Sequence, residues 1–296
     1  MKSIGSVTAH GESRPERTQT PKQGALVNAA WLGAHLEDPA VRVLEIDRDA
    51  TLAYAAGHVP GAVGWHWKTM LWDPLQRDFA DPATMAARLG AAGIANDTTV
   101  VVHGEPLQFG AYGWWALKYG GHRDVRLLDG GRTRWTREGR PLTTEVRAVQ
   151  AVSYTPTTPD PSMRVLREEV LRRLGDPHTL LFDLRSPEEY RGERVAPPGQ
   201  PDDGAVRGGH IPGAVNLYFT ELLEEDGTFK DAEEIRQLVQ ARGLGRDKDV
   251  IVYCRLSHRA TLAYFALTQI VGHRRVRSYD GSWTEWGSAV GLPIER

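Results

Sequence analysis

The sequence predicts an α/β protein made of two tandem domains, each with a mainly parallel sheet flanked by helices on both faces. The chain has 296 residues, a length that suits two domains of about 150 residues. Several short motifs occur twice, in the same order and at nearly the same spacing. Within each half, short apolar runs alternate with amphipathic stretches, which is typical of parallel strands connected by helices.

The clearest repeat is the segment Gly57–Val63 (GHVPGAV), which returns 152 residues later as Gly209–Val215 (GHIPGAV). Three further matches follow with an offset of 151, and they pair Gly121-His122 with Gly272-His273, Asp129-Gly130 with Asp280-Gly281, and Trp135 with Trp286. Because both order and spacing are kept, we interpret the halves as copies of one domain.

These repeats divide the chain into four parts. Residues 1–24 are polar and are predicted to form a flexible arm. The two domains are residues 25–142 and 163–296. The linker between them is residues 143–162, in which three prolines stand among Thr and Ser without sustained periodicity.

Strands and helices alternate in both copies. In the first copy we predict strands at Val41–Ile46 and Thr99–Val102, and helices at Pro82–Leu89 and Tyr112–Tyr119. In the second copy we predict helix Leu166–Leu174, strand Leu180–Phe182, a short helix opened by Ser186-Pro187, a helix capped by Asp231, strand Val250–Tyr253 and helix Ala260–Val271. Ligand sites are expected at the carboxyl ends of such strands.

The composition is that of an ordinary soluble globular protein, with 41% hydrophobic and 25% charged residues. A net charge of -2 and the lack of a long basic run argue against nucleic acid and membrane surfaces as partners. The sequence has neither a signal-peptide core nor an apolar stretch long enough to span a bilayer. One cysteine cannot form an internal disulfide, so we expect a cytoplasmic protein.

That cysteine, Cys254, directly follows the predicted strand Val250–Tyr253 and begins the loop Cys254–Arg259 (CRLSHR). A loop between a strand and a helix can direct consecutive backbone amides and the positive end of the helix dipole at one point. Together with Arg255 and Arg259, these groups should favour the nucleophilic thiolate. A lone cysteine is more often a small buried hydrophobe, but arginines beside a neutral buried thiol are costly unless an anion pairs with them.

The cysteine loop, the GHIPGA motif and Asp280–Trp283 (DGSW) together resemble the tandem-domain rhodanese family, over nearly the whole chain after about residue 25. The resemblance implies a sulfurtransferase in which Cys254 carries a persulfide, with no metal and no organic cofactor. The chain looks most similar to bacterial thiosulfate sulfurtransferases, in which arginine follows the catalytic cysteine as Arg255 does here; the mercaptopyruvate branch has glycine there. Leu256 and Ser257 depart from the family's pattern, which has a second cation and a glycine.

We expect the anionic sulfur donor to be bound by residues near Cys254, namely Arg185, Arg255, Leu256, Ser257, His258 and Arg259. Arg185 stands where the first copy has Asp47, so it is specific to the half with the cysteine; its alternative role is a surface pair with Glu188 or Glu189. His258 would add partial positive charge or shuttle a proton, unless it is an exposed loop histidine without such a role.

Comparison of the halves also identifies what is not catalytic. The first copy has Gly104-Glu105-Pro106 in place of the cysteine loop, so we expect that domain to be inactive. His58 and His210 occur in both copies and are therefore interpreted as structural, and Trp135 and Trp286 as core or interface residues. The insertion at residues 191–208 is present only in the second copy, and the sequence leaves open whether it is a functional lid or a solvated excursion.

The expected reaction is a double displacement, in which the thiolate takes sulfur from a small anion such as thiosulfate and then passes it to a small-molecule or protein thiol, or to cyanide. The alternatives are a 3-mercaptopyruvate donor, a phosphatase-like enzyme and a non-enzymatic binding module. Four residues separate Cys254 from Arg259, one fewer than in phosphatase loops, which disfavours the phosphatase. A monomer is expected because the two halves can cover each other.

Overall fold

The structure, a computed structural model, describes residues 24–48 and 50–296. The predicted arm therefore lies outside the described residues, except for Gly24 at its end. In the described part of the chain, no helix is both long enough and apolar enough to cross a membrane.

The first half forms a five-stranded parallel sheet. Its strands are β1 (Leu26–Val27), β2 (Val41–Asp47), β3 (Ala62–His66), β4 (Thr99–His103) and β5 (Val125–Leu128), and its helices are α1 (Ala29–Ala34), α2 (Ala50–Ala56), α3 (Trp67–Leu71), α4 (Pro82–Ala91), α5 (Leu107–Tyr119) and α6 (Gly131–Arg137). The strand order is β1-β5-β4-β2-β3, and every neighbouring pair is parallel.

The second half repeats this arrangement. Its strands are β6 (Arg164–Val165), β7 (Thr179–Asp183), β8 (Val215–Asn216), β9 (Asp249–Tyr253) and β10 (Val276–Tyr279), and its helices are α7 (Arg167–Arg172), α8 (Pro187–Tyr190), α9 (Ala232–Gln240), α10 (His258–Phe265) and α11 (Ser282–Trp286). A π-helical stretch, Ala266–Ile270, continues α10. The order β6-β10-β9-β7-β8 matches the first sheet strand for strand, which confirms the predicted fold class.

Two elements begin earlier than predicted. Helix α5 starts at Leu107 rather than at Tyr112, and α10 starts at His258 rather than at Ala260. Glycines inside α5 hid its first turns, because glycine is a poor helix former. Close packing requires one of them: a Cβ on Gly110 would lie 2.7 Å from the carbonyl carbon of His103.

Each sheet is covered on both faces. Along β9, Val250 and Val252 face a core that is shared by the two halves, whereas Ile251 and Tyr253 face an outer core of the second half alone. The shared core is closed by α5 and α10, which pack against each other; the ring centroids of Trp114 and Phe265, for example, are 4.7 Å apart. The helix after the cysteine loop therefore lies at the interface between the domains.

Candidate active site

Cys254 lies at the carboxyl end of β9, the middle strand of the second sheet, and is 1% exposed. Three residues at the start of α11 fix the loop that it begins. The Cys254 amide donates to Ser282 Oγ (3.2 Å), and its carbonyl accepts from the Trp283 amide (2.9 Å). The next carbonyl, of Arg255, accepts from both the amide (3.1 Å) and the hydroxyl (2.6 Å) of Thr284. The DGSW motif thus sets the direction in which Cys254 leaves its strand.

Beyond these anchors the loop curls back into α10. Ser257 has a φ of 73°, in the left-handed region, and its hydroxyl is hydrogen-bonded to that of Ser278 (3.0 Å). Among the described residues, the backbone N–H groups of residues 255–260 donate to no other group. A run of free amides at a helix amino terminus, directly after a cysteine, is suited to holding an anion.

Arg259, predicted to bind the donor, is buried and paired with Glu189 of α8. The two hydrogen bonds measure 2.6 and 2.9 Å and form a bidentate ion pair. Burial opposes the charge of Arg259, but Glu189 and the nearby Cys254 outweigh burial and raise the pKa of Arg259 above its usual value. The guanidinium of Arg259 therefore stays charged beside the sulfur, although the Glu189 carboxylate neutralises part of its positive charge.

Arg185 is fully buried, and it is not the surface arginine of the alternative interpretation. Its partner is Asp183, which accepts from Nη2 at 2.6 Å and from Nε at 3.0 Å, rather than Glu188 or Glu189. The guanidinium lies over the ring of Trp283, 4.3 Å from its centre, and Nη1 has no hydrogen-bond partner in the part of the chain that the structure describes. Arg185 thus packs against Trp283, the residue whose amide donates to the Cys254 carbonyl.

Arg255 turns towards the insertion that is specific to the second half. Its Nη2 donates to the Asp203 carboxylate (2.7 Å) and to the Asp203 carbonyl (3.0 Å), and Gly204 packs so closely that a Cβ there would lie 2.4 Å from Nη2. The Nε of Arg255 is buried and has no hydrogen-bond partner among residues 24–48 and 50–296. The insertion therefore holds this arginine in place while leaving one N–H group unsatisfied.

The insertion is folded rather than a solvated excursion. Asp202 accepts from the amides of Val195 and Ala196 (2.7 and 3.0 Å), and Trp283 Nε1 donates to the Arg207 carbonyl (3.0 Å). The Arg207 guanidinium donates to four backbone carbonyls near the end of the chain, those of Trp286, Gly287, Ala289 and Leu292. Residues 191–208 thus form an ordered cover beside the Cys254 loop.

The two remaining candidates, Leu256 and His258, pack against apolar and aromatic side chains. Leu256 is partly buried and packs against the shared core. His258 is not an exposed loop histidine, because it opens α10 and its ring centroid lies 4.3–4.6 Å from those of Trp67, Phe109 and Tyr112 of the first domain. Burial, followed by the nearby cations, lowers the pKa of His258 well below its usual value. It is therefore neutral at neutral pH, and the expected positive charge is not supplied.

Sequence reasoning missed the carboxylates that position the arginines. Asp183 could have been suspected from its place at the end of a strand, and Glu189 from its place three residues after the helix cap Ser186, with which it forms a capping box. No local signal pointed to Asp203, which meets Arg255 across 52 residues of chain.

The first domain has no space for an equivalent cysteine. Gly104 follows β4 as Cys254 follows β9, and a Cβ on Gly104 would lie 2.3 Å from the Ile46 carbonyl oxygen and 2.5 Å from the Gly110 amide. Behind it, burial lowers the pKa of His103 to about 3. Burial and the neighbouring Asp47 raise the pKa of Glu45 to about 9. This loop is closely packed over buried side chains, and Arg132 pairs with Glu45 among them (2.9 Å).

The repeated histidines make the same contacts in both halves. His58 Nδ1 lies 2.9 Å from the Tyr54 carbonyl and its ring stacks on that tyrosine, and His210 has the same relation to Tyr190. These contacts confirm their structural interpretation. Trp135 and Trp286 are buried in the outer cores, as predicted.

Comparison with known proteins gives a consistent result. A family model for the rhodanese-like domain matches twice, over residues 28–138 and 166–289. The chain is 46% identical to a protein of Thermus thermophilus named "Sulfur carrier protein TtuD", covering 92% of this chain and 96% of that protein. It is 44% identical to a protein of Mycolicibacterium smegmatis named "Putative thiosulfate sulfurtransferase", covering 93% and 98% respectively.

Solved structures are also similar. The anaerobic ergothioneine biosynthesis enzyme of Chlorobium limicola, in complex with trimethyl histidine, superposes with a TM-score of 0.79 at 25% identity. A structure of EanB with a cysteine persulfide, in a tetrahedral intermediate state with ergothioneine, gives 0.80 at 25% identity. Both alignments cover 92% of this chain and 70% of the other.

Proposed function

The chain belongs to the rhodanese-like domain family, and from this premise we propose that it is a sulfurtransferase that takes the outer sulfur of thiosulfate onto Cys254 and passes it to a thiol or to cyanide. The observation that carries the proposal is the position of Cys254, at the end of the middle strand and at the start of a loop of free amides. Neither step needs a cofactor.

In the first step, the Cys254 thiolate attacks the outer sulfur of thiosulfate. A sulfur–sulfur bond forms to Sγ, the bond to the sulfonate sulfur breaks, and the electron pair leaves with sulfite. The persulfide keeps one negative charge on its terminal sulfur, where the free amides of residues 255–260 are suited to hold it. We assign the sulfite oxygens to Arg255, which follows Cys254 directly and whose Nε has no partner among the described residues.

In the second step, a thiolate or cyanide attacks the terminal sulfur of the persulfide. The bond between that sulfur and Sγ breaks, and its electron pair restores the Cys254 thiolate. The product is a new persulfide or thiocyanate. Similarity to a protein named a sulfur carrier favours a protein thiol as one acceptor.

The alternatives are less well supported. A phosphatase would use the arginine at the end of the loop to hold phosphate, but Arg259 is occupied by Glu189. A pure binding module would not need the unsatisfied donors beside Cys254. We assign the first domain a supporting role only, because Gly104 has no room for a side chain. A persulfide enzyme with one free cysteine suits the reducing cytoplasm.

The test is intact-mass measurement after incubation with thiosulfate, combined with assays of sulfite release and of thiocyanate formation from cyanide. We expect wild-type protein to gain one sulfur atom and Cys254→Ser to gain none and to lose both activities. Absence of added sulfur on the wild type, or retained activity in Cys254→Ser, would refute the proposal. A strong preference for 3-mercaptopyruvate in the same assay would refute the thiosulfate assignment alone.

A further inference from the structure

The segment between the two domains lies in a groove of the first domain, formed by the end of α4 and the loops before β4 and β5. The Val152 amide donates to the Gly90 carbonyl (3.0 Å). The Asn96 side chain accepts a hydrogen bond from the Thr155 amide (2.8 Å) and donates one to the Thr155 carbonyl (2.9 Å). The first domain thus binds an extended peptide segment, and this segment is the chain's own linker.

The second domain has the same groove, but the described chain leaves it open as a cavity of about 1160 Å³. The two grooves are equivalent because they share a contact. His122 Nε2 is hydrogen-bonded to the Thr98 carbonyl (2.8 Å), and His273 Nε2 is hydrogen-bonded to the Lys248 carbonyl (2.9 Å). In the first groove, the hydroxyl of Tyr154 donates to the other ring nitrogen, His122 Nδ1 (3.0 Å). In the second, His273 lines the cavity and its Nδ1 has no partner among the described residues.

The open groove is strongly basic. It is lined by six arginines and one carboxylate, and the arginines are Arg173, Arg236, Arg246, Arg274, Arg275 and Arg277. Four of these arginines pair with carboxylates: Arg173 and Arg275 with Asp249, Arg236 with Glu233, and Arg277 with Glu169. Arg246 and Arg274 take part in no ion pair within the described residues, and the proposal depends on these two. Positive charge in a concave site attracts anions, and the guanidinium group matches a carboxylate in geometry.

We propose that this groove binds an extended acidic segment of a partner protein, in the manner in which the first domain holds residues 149–158. The first groove has Asn96 and Asp124 where the second has Arg246 and Arg275, so only the second selects for acidic residues. Gln240 replaces Gly90, where a Cβ would lie 2.5 Å from the bound backbone. A partner's backbone must therefore lie farther from this helix end than the linker's does, which leaves the charged side chains as its main contacts.

The N-terminal residues of the chain are a poor candidate for this groove. Basic side chains outnumber acidic ones there, with Lys2, Arg14, Arg17 and Lys22 against Glu12 and Glu16. The groove lies at the amino end of β9, about 16 Å of strand from Cys254. A bound partner would therefore leave the Cys254 loop uncovered, and the inference does not depend on the chemistry proposed for that residue.

The probe for the test is a fluorescein-labelled peptide with the sequence of residues 149–158, in which Thr155→Glu and Thr157→Glu introduce acidic side chains. Binding to the full chain is followed by fluorescence anisotropy at low and high salt. We expect the acidic peptide to bind at least about tenfold more tightly than the unmodified one, because two new ion pairs become possible.

Charge reversal of the groove supplies the matched control. The variant Arg246→Glu/Arg274→Glu should bind the acidic peptide at least about tenfold more weakly, whereas Arg123→Glu, which changes the counterpart of Arg274 in the first domain, should bind it as wild type does. Thermal melting checks the fold, and Arg246→Ala/Arg274→Ala replaces the double reversal if that variant melts early.

Three results would overturn the proposal. The first is no binding of the acidic peptide to wild-type protein, and the second is equal weakening by the Arg123→Glu control. The third is markedly tighter binding after deletion of residues 1–23, which would mean that the chain's own N-terminal segment fills the groove.

Discussion

The three arginines that the sequence predicted to bind the donor are each paired with a carboxylate. The pairs are Arg185–Asp183, Arg255–Asp203 and Arg259–Glu189. Buried guanidinium groups need such partners, because an unpaired buried charge is costly. The pairs reduce the net charge of the site but fix the orientation of each guanidinium. Among the described residues, the N–H groups of this region that lack a partner are the loop amides, the Nε of Arg255 and the Nη1 of Arg185.

The contact between Asp203 and Arg255 gives a prediction about donor binding. In Asp203→Asn, Arg255 loses the carboxylate that holds it at the site, so the KM for thiosulfate should rise about tenfold, equivalent to about 1.4 kcal/mol, while kcat changes less than about twofold. Steady-state kinetics with cyanide as acceptor measures both.

The control for this prediction is Glu193→Gln, which removes one carboxylate from the same insertion. Within the described residues, the ion-pair partner of Glu193 is the exposed Arg191 alone. It should leave KM unchanged. A fall in KM for Asp203→Asn would contradict the prediction, because it would mean that Asp203 competes with the donor for Arg255.

At the scale of elements, α10 connects the site to the first domain through its first residue. His258 is neutral in the folded protein, because burial and then Arg259 and other cations lower its pKa. In the unfolded chain its pKa is about 6.5, so protonation favours unfolding. The free energy of unfolding is therefore not reduced by this histidine above about pH 6.5, and it decreases as the pH falls below that value.

Replacement of this histidine by an apolar ring should remove the acid sensitivity that it causes. Between pH 7 and pH 5, His258→Phe should lose less free energy of unfolding than wild type, by up to about 2 kcal/mol. Urea unfolding at the two pH values measures the difference. His178→Gln, which changes an exposed histidine, should behave as wild type, and an equal pH dependence of His258→Phe and wild type would show that this residue does not carry the effect.

Much of the architecture could be predicted because it depends on local patterns and on the repeat. The apolar runs gave β2, β4, β7 and β9, and Asp231 and Ser186 cap the helices that they were predicted to open. The interior of the site could not be predicted, since it depends on contacts between distant parts of the chain. Arg255 meets Asp203 in an insertion without periodicity, and His258 meets aromatic residues of the other domain.

At the scale of the whole molecule, the two domains contact each other through equivalent turns. Asp129 accepts a hydrogen bond from the Phe229 amide of the second domain (3.0 Å), and Asp280 accepts from Arg77 of the first (2.6 Å). Each half thus offers the same aspartate to the other, as subunits do in a twofold dimer. This internal pairing covers the helices that a single domain would expose, which is the physical basis for expecting a monomer.

The Asp280 contact should dominate the stability of this interface. Its carboxylate is fully buried and pairs with both Arg77 (2.6 Å) and Arg164 (3.0 Å). Asp280→Asn leaves two guanidinium groups without their shared counter-charge. Breaking a fully buried pair costs about 3–5 kcal/mol; because the Arg77 side chain is 37% exposed and Arg164 keeps Asp78, we expect a cost of about 2–3 kcal/mol here. Asp78→Asn, which removes the half-exposed partner of Arg164, should cost about 1 kcal/mol or less. Because the domains share one core, we expect the whole chain to unfold in a single transition in denaturant. The midpoint should be much lower for Asp280→Asn than for Asp78→Asn. Equal midpoints would mean that apolar packing between α5 and α10, rather than this ion pair, holds the domains together.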